Sequence, residues 1–179
     1  MNKLAFTLLI ILSFGFTGEK LTKVKINEEV TIYVPKNFTP MTPQDMEQRY
    51  ESYRLPLALY TDPDRLIDFG VNRSYSRWQE KDLEMMEEFY KSSILELYDK
   101  VKFLDEGIKE VKGHRFVFFE IQTIVYPENK FQDSVRKYTY LMYGISEGTT
   151  YLFNFTCPEA MQDEWQPTAQ QMMESIKLK

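Results

Sequence analysis

The sequence predicts an α+β domain, an antiparallel sheet with helices packed on it. Three stretches carry that expectation. From residue 102 to Cys157 the apolar residues recur with a period of two. Residues 81–100 carry an apolar stripe at three- and four-residue spacing instead. Residues 163–177 return to helical spacing after Pro158 has closed the last strand.

The chain begins with a segment unlike the rest. Met1-Asn2-Lys3 places one positive charge before an apolar run from Leu4 to Phe16, and the small residues Ser13, Gly15, Thr17 and Gly18 precede the polar Glu19-Lys20. That is the layout of a secretory signal peptide. Residues 1–18 are therefore read as the signal and 19–179 as one domain. Ser13-Phe14-Gly15 and Gly15-Phe16-Thr17 both offer small residues at the cleavage positions. A spanning helix needs about 20 apolar residues, so an uncleaved anchor is the lesser alternative. A lipoprotein would need a cysteine at the cleavage point, and none is there. The expectation is an exported product, periplasmic or extracellular, soluble and not stably inserted in a membrane once the signal is removed.

The first strands follow at once. Leu21, Val24 and Ile26 alternate with polar residues, Asn27-Glu28-Glu29 makes a turn, and Val30, Ile32 and Val34 share a face up to Pro35; this predicts a β-hairpin. Thr42 followed by Pro43 marks a helix start with cap and first-turn proline, expected to run to about Tyr53 before Pro56. Short strands are expected at 57–60 and 66–71, separated by the turn residues Asp62-Pro63-Asp64.

The helix expected over 81–100 buries Leu83, Met86, Tyr90, Ile94, Leu97 and Val101. Its outer face carries glutamates, with Glu87–Lys91 and Glu96–Lys100 spaced for i,i+4 pairs. In the meander that follows, Val111-Lys112-Gly113-His114 is a turn and Glu147-Gly148 a tight hairpin. Phe116 and Phe118 point to one side of the run 116–126, while Val117, Phe119 and Ile121 point to the other. A strand apolar on both faces belongs to a sheet covered on both sides. The terminal helix buries Trp165, Ala169, Met172 and Ile176. The expected order is ββ-α-ββ-α-ββββ-α.

Chemistry is largely excluded by what the chain lacks. The formal charge is −5 and becomes −6 when Lys3 leaves with the signal. With no basic stripe, nucleic acid is not a partner, and an anionic membrane surface is disfavoured. Cys157 is the one cysteine and lies in phase with Tyr151, Phe153 and Phe155, so it reads as a small buried hydrophobe. His114 is the one histidine and falls in a turn. One histidine and one cysteine cannot close a structural zinc site, and no calcium-loop or phosphate-loop motif is present. No cofactor or metal is expected. Paired carboxylates could run the hydrolysis of an envelope polymer, and Glu120, set between Phe119 and Ile121, is the most interesting candidate acid; a carboxylate on a semi-exposed strand face is the simpler expectation.

One segment stands out as a recognition surface. Arg73-Ser74-Tyr75-Ser76-Arg77-Trp78 gathers the residue types that dominate interaction hot spots, and Tyr50, Tyr53 and Arg54 repeat that chemistry. The candidate partner-binding residues are therefore Arg73, Tyr75, Arg77, Trp78, Tyr53 and Arg54. The structural alternative is that Trp78 packs the helix start and the arginines pair with nearby acids.

The arrangement resembles the PsbP-like fold family, which includes photosystem II extrinsic protein P, the yeast Ran-binding protein Mog and small bacterial envelope proteins. The resemblance rests on Val34-Pro35-Lys36-Asn37-Phe38 closing the hairpin, on Gly113-His114-Arg115 entering the meander, and on the closing strand from Tyr151 to Pro158. Trp165 and Met173-Glu174-Ser175-Ile176-Lys177 match its usual ending. It implies an αβα sandwich used as a binding or assembly module, without an assigned ligand. The expected function is thus an exported, non-catalytic binding module whose partner is another envelope protein or a small ligand. The alternatives are a small-ligand carrier and an envelope-polymer hydrolase using Glu120. Export also weakens the Ran analogy, because an exported protein does not meet a nuclear GTPase.

Overall fold

A computed structural model describes residues 19–49, 55–75, 78–129 and 131–179. The expected signal segment 1–18 lies outside the described residues.

The opening hairpin pairs β1 (Leu21–Lys25) with β2 (Val30–Pro35). Asn27 forms its turn, because its side-chain oxygen accepts the N–H groups of Glu29 and Val30. A two-residue strand, β3 (Thr39–Pro40), precedes α1 (Pro43–Arg49). Thr42 caps α1 as expected: its hydroxyl accepts the Asp45 N–H at 3.2 Å and donates to the Asp45 carboxylate at 2.8 Å. The stretch 50–54, where the helix was expected to continue, lies outside the described residues. Then β4 (Ala58–Thr61) pairs with β5 (Asp68–Tyr75). Asp62 closes that turn by accepting the Leu66 and Ile67 N–H groups at 2.8 Å.

After α2 (Leu83–Leu97) comes a meander of β6 (Lys100–Val111), β7 (His114–Val125), β8 (Val135–Ser146) and β9 (Thr149–Pro158). Two of its turns use the same device. Lys112-Gly113 and Glu147-Gly148 all have positive φ, between 47° and 86°, the mirror-image turn that matches strand twist. The chain ends with α3 (Gln162–Glu174) and a two-residue β10 (Lys177–Leu178). The large sheet runs β3-β4-β5-β9-β8-β7-β6 with every pair antiparallel, and β1-β2-β10 form a small second sheet.

The two faces of the large sheet are covered differently. On one, Phe69, Phe116, Tyr138, Phe153 and Phe155 meet α3 through Trp165, Ala169 and Met172, and meet the small sheet through Val30, Ile32 and Val34. On the other, α2 lays Leu83, Met86 and Ile94 over Val117, Phe119, Ile121, Leu141 and Tyr143. This is the expected α+β sandwich, with helices on both faces of an antiparallel sheet.

Three expected boundaries move. Strand β5 continues to Tyr75 rather than stopping at Val71, because β9 offers partners as far as Tyr75↔Thr149. Helix α2 stops at Leu97, and Tyr98 is extended at φ −122° and ψ 147°. Val101 therefore lies on β6, and Leu97 is exposed rather than in the buried stripe. Lys100 likewise leaves the helix, and Lys91 bonds Glu106 of β6 at 2.5 Å instead of forming the expected surface pair with Glu87. Finally, α3 ends at Glu174, since residues 177–178 pair with β2.

Candidate functional site

Helix α2 covers only part of its face of the sheet. Beside it, over β5 and β9, runs a trough made of two hollows that share Asn72, of about 430 Å³ and about 210 Å³. Period-two alternation explains the floor. Asp68, Gly70, Asn72 and Ser74 of β5 lie on this side, and register sets Asn154 opposite Gly70, and Thr156 opposite Asp68. Thr139 of β8 stands opposite Thr156, with their hydroxyls 3.2 Å apart. Tyr98 and Tyr90 stand on the α2 side, and Pro56 and Leu59 on the β4 side.

The floor is unusual for a sheet face. Where the other face carries phenylalanine and tyrosine, this one sets threonine, asparagine, serine and glycine among Leu59, Val125, Val135 and Leu152. The Asn154 side-chain oxygen is fully shielded and has no hydrogen-bond partner among the described residues. The Glu106 and Trp165 side chains also hold such an atom, but Asn154 is the one of the three that lines the trough. A shielded acceptor without a donor costs about 1–3 kcal/mol, so this position is not optimised for the chain's own stability. In the narrower hollow Tyr90 stacks on Tyr143 with centroids 3.9 Å apart and planes 15° apart. Burial raises both phenols above the usual tyrosine range, as it does that of Tyr98, so all three stay neutral donors at physiological pH.

Glu120 is elsewhere. It faces α3 and is buried, which corrects the expected semi-exposed setting. Tyr138 donates to it at 2.6 Å, and Gln166 and Gln170 of α3 donate from above. Four glutamines meet here, since Gln162 bonds both Gln122 and Gln166. With its oxygens held by three donors and a helix laid over it, Glu120 has no open side toward a substrate. Among the described residues no group of histidine, cysteine, aspartate and glutamate is placed to hold a metal.

No family model matches the sequence, and no curated protein matches it closely enough to be counted a relative. Solved structures do match. The solution structure of cyanobacterial PsbP from Synechocystis sp. PCC 6803 superimposes with a TM-score of 0.65 at 10% identity, covering 92% of this chain and 96% of that one. The chain has the PsbP-like fold. The Saccharomyces cerevisiae Ran-binding protein Mog1p matches with a TM-score of 0.60 at 13% identity, covering 90% of this chain and 96% of that one. LpqN of Mycobacterium tuberculosis, described as involved in cell envelope biogenesis, matches at 0.54 and 12%, covering 89% and 90%.

Of the six sequence-derived partner residues, Arg73, Tyr75 and Trp78 are described. Arg73 and Tyr75 lie on β5 itself, opposite Tyr151 and Thr149, with the Arg73 guanidinium 6.0 Å from the Tyr75 ring. Tyr75 is 79% exposed. Trp78 instead packs on α2: its ring lies 5.7 Å from that of Phe89, and it bonds Tyr90. That is the structural alternative for Trp78. Arg77, Tyr53 and Arg54 lie outside the described residues, as does Tyr50. Of the six, Arg73 also borders the narrower trough hollow.

The trough itself was missed by sequence reasoning. A signal existed in the small polar set Gly70, Asn72, Asn154 and Thr156, which interrupts strands otherwise rich in aromatics. Its meaning depends on the β5–β9 register, which the sequence does not display.

Proposed function

We propose that this chain is an exported, non-catalytic binding or assembly module that receives its partner in the trough beside α2. The observation that carries the reading is the Asn154 oxygen, shielded and unpaired on a polar floor at the centre of the sheet. A turn of the Asn154 side chain that brings this oxygen into the hollow would let a ligand donor relieve that cost. The signal-like segment 1–18 supports export. Two structural neighbours whose names concern Ran binding and cell envelope biogenesis support a binding role. Against the hydrolase alternative, Glu120 is covered on the opposite face of the sheet.

A second surface keeps a specific observation in its favour, the exposed Tyr75 beside Arg73. One experiment separates the two. The purified protein is immobilised and exposed to solubilised envelope from its own cells, alongside Asn72→Trp, which fills the shared part of the trough, and a combined Arg73→Ala, Tyr75→Ala variant. Loss of specific retention by Asn72→Trp alone, with an unchanged melting transition, is the expected result. Loss in the Arg73 and Tyr75 variant alone would move the site to the end of β5 and overturn the trough reading.

A further inference from the structure

Resting on the trough reading, we propose that the occupant is a neutral, linear glycan laid along β5 and β9. Length is the first argument. The floor runs from Asp68 to Ser74 on β5, six strand steps or about 20 Å. The larger hollow also crosses the sheet to Thr139 of β8 and Thr123 of β7, so the site is a long, broad bed, with room for a short ribbon of β-1,4-linked sugars.

The second argument is the chemistry of the floor. Its partners are side chains: the Asn72 and Asn154 amides donate and accept, while the Thr139 and Thr156 hydroxyls, bonded to each other and to the Tyr138 carbonyl, have oxygens left to accept. Sugar hydroxyls both donate and accept. The main-chain groups of β9, and of β5 from Asp68 to Val71, are engaged with neighbouring strands on both sides, while from Asn72 to Tyr75 β5 is paired with β9. An extended peptide is recognised through free main-chain groups at a sheet edge, and this site is a sheet face. The long edge strand β6 is a poor substitute, because its ladder is broken between Phe103 and Asp105 and it carries charged residues along its length. Charge is the third argument. Asp68 lies at one end of the trough, Arg73 borders the other and Lys137 stands on the rim. Among the described residues that line the trough, no cluster of cations is present to hold a phosphate or a polyanion. The Tyr90 and Tyr98 side chains on the α2 side add aromatic surface for the apolar faces of sugar rings.

The test titrates the purified protein with chitotetraose, cellotetraose, the corresponding disaccharides and an N-acetylated, C-amidated alanine–threonine hexapeptide, followed by calorimetry and by amide chemical shifts. Expected is saturable binding of at least one tetrasaccharide, with shifts confined to β5, β9 and neighbouring β8, and affinity about tenfold above that of its disaccharide. Asn154→Leu should weaken it about tenfold, and Asn72→Trp should abolish it, both with unchanged melting transitions. No saturable binding of either tetrasaccharide, equal affinity for disaccharide and tetrasaccharide, or tighter binding of the hexapeptide would each overturn the glycan assignment. If Asn72→Trp loses its envelope retention while neither tetrasaccharide binds, the glycan fails and the binding-module reading stands. If retention is unaffected by Asn72→Trp, that reading fails as well.

Discussion

The two faces of the large sheet are built from the same strands by opposite rules. On the α3 side most inward positions are aromatic or aliphatic, and the buried carboxylate Glu120 is met by three donors. On the α2 side the outer half of the sheet exposes threonine, asparagine and glycine, and a shielded acceptor has no partner among the described residues. A face built for stability satisfies most of its polar groups, the Trp165 indole N–H being an exception among the described residues, and excludes water. A face kept for binding carries polar groups whose partners come from elsewhere. The difference therefore separates what holds this protein together from what it offers to others, and it can be tested one side at a time.

The largest effect should come from the closed face. Phe155 is fully buried and lies against Tyr138 and Trp165, with ring centroids 6.3 Å away in both cases. Phe155→Ala removes a whole ring from the junction of sheet and α3, so a loss of about 3–5 kcal/mol is expected in urea unfolding. A Thr156→Val change one residue along points into the trough and should cost well under half of that. Equal losses would show that the trough is as much a part of the core as the opposite face.

Next comes the buried carboxylate. Glu120→Ala leaves the Tyr138 hydroxyl and the Gln166 and Gln170 amides without their acceptor, for an expected cost of about 2–3 kcal/mol. Glu120→Gln keeps an oxygen for Tyr138 and should recover about half of it. Both variants should retain full ligand binding. Loss of binding by Glu120→Gln in a stably folded protein would instead revive a functional role for this residue.

These two faces also show what could be read from the sequence and what could not. Period two across Phe116 to Ile121 announced a strand apolar on both sides, and the i, i+3, i+4 stripe from Leu83 to Ile94 announced the helix that covers one of them. Such signals are local and repeated, so they survive without coordinates. Boundaries are decided by pairing partners instead: β5 reaches Tyr75 because β9 is there to receive it, and the terminal helix gives up Lys177 to β2. Glu120 looked half-exposed because its cover is a set of glutamines more than 40 residues away. The trough was invisible for the same reason. Asn72 and Asn154 are 82 positions apart in sequence (154 − 72) and become neighbours only through strand register.

A pH-dependent effect also belongs to the closed face. Burial pushes the Cys157 thiol up to about 12, and burial together with the Glu29 bond pushes the Tyr151 phenol up to about 12. Both groups are neutral when protonated, so a raised folded value means the unfolded chain loses its protons first. Their stabilisation is whole below the unfolded values of about 8.5 and about 10 and drains away as pH climbs toward 12. Each contributes a slope of about 1.4 kcal/mol per pH unit within its window. Urea midpoints should fall from pH 9 to pH 11, and Cys157→Ala should flatten the lower half of that decline. A profile that stays level to pH 11 would show that these groups are far less shielded than their surroundings imply.

The smallest stability change is expected in the trough, and it is the most informative. Asn154→Leu is nearly isosteric and removes an acceptor that has no partner among the described residues. A lost hydrogen bond would cost stability, but here the removed atom makes none. Deleting a shielded, unpaired polar group is neutral or stabilising, so the melting transition should stay put or rise slightly, within about 0.5 kcal/mol. Retention of the partner should fall at the same time. Stability and binding then move in opposite directions at one residue, which no core position of the α3 side could do. A clear destabilisation by Asn154→Leu would mean that the oxygen is already satisfied within the folded chain, and the open half of the sheet would lose its claim to be a binding surface.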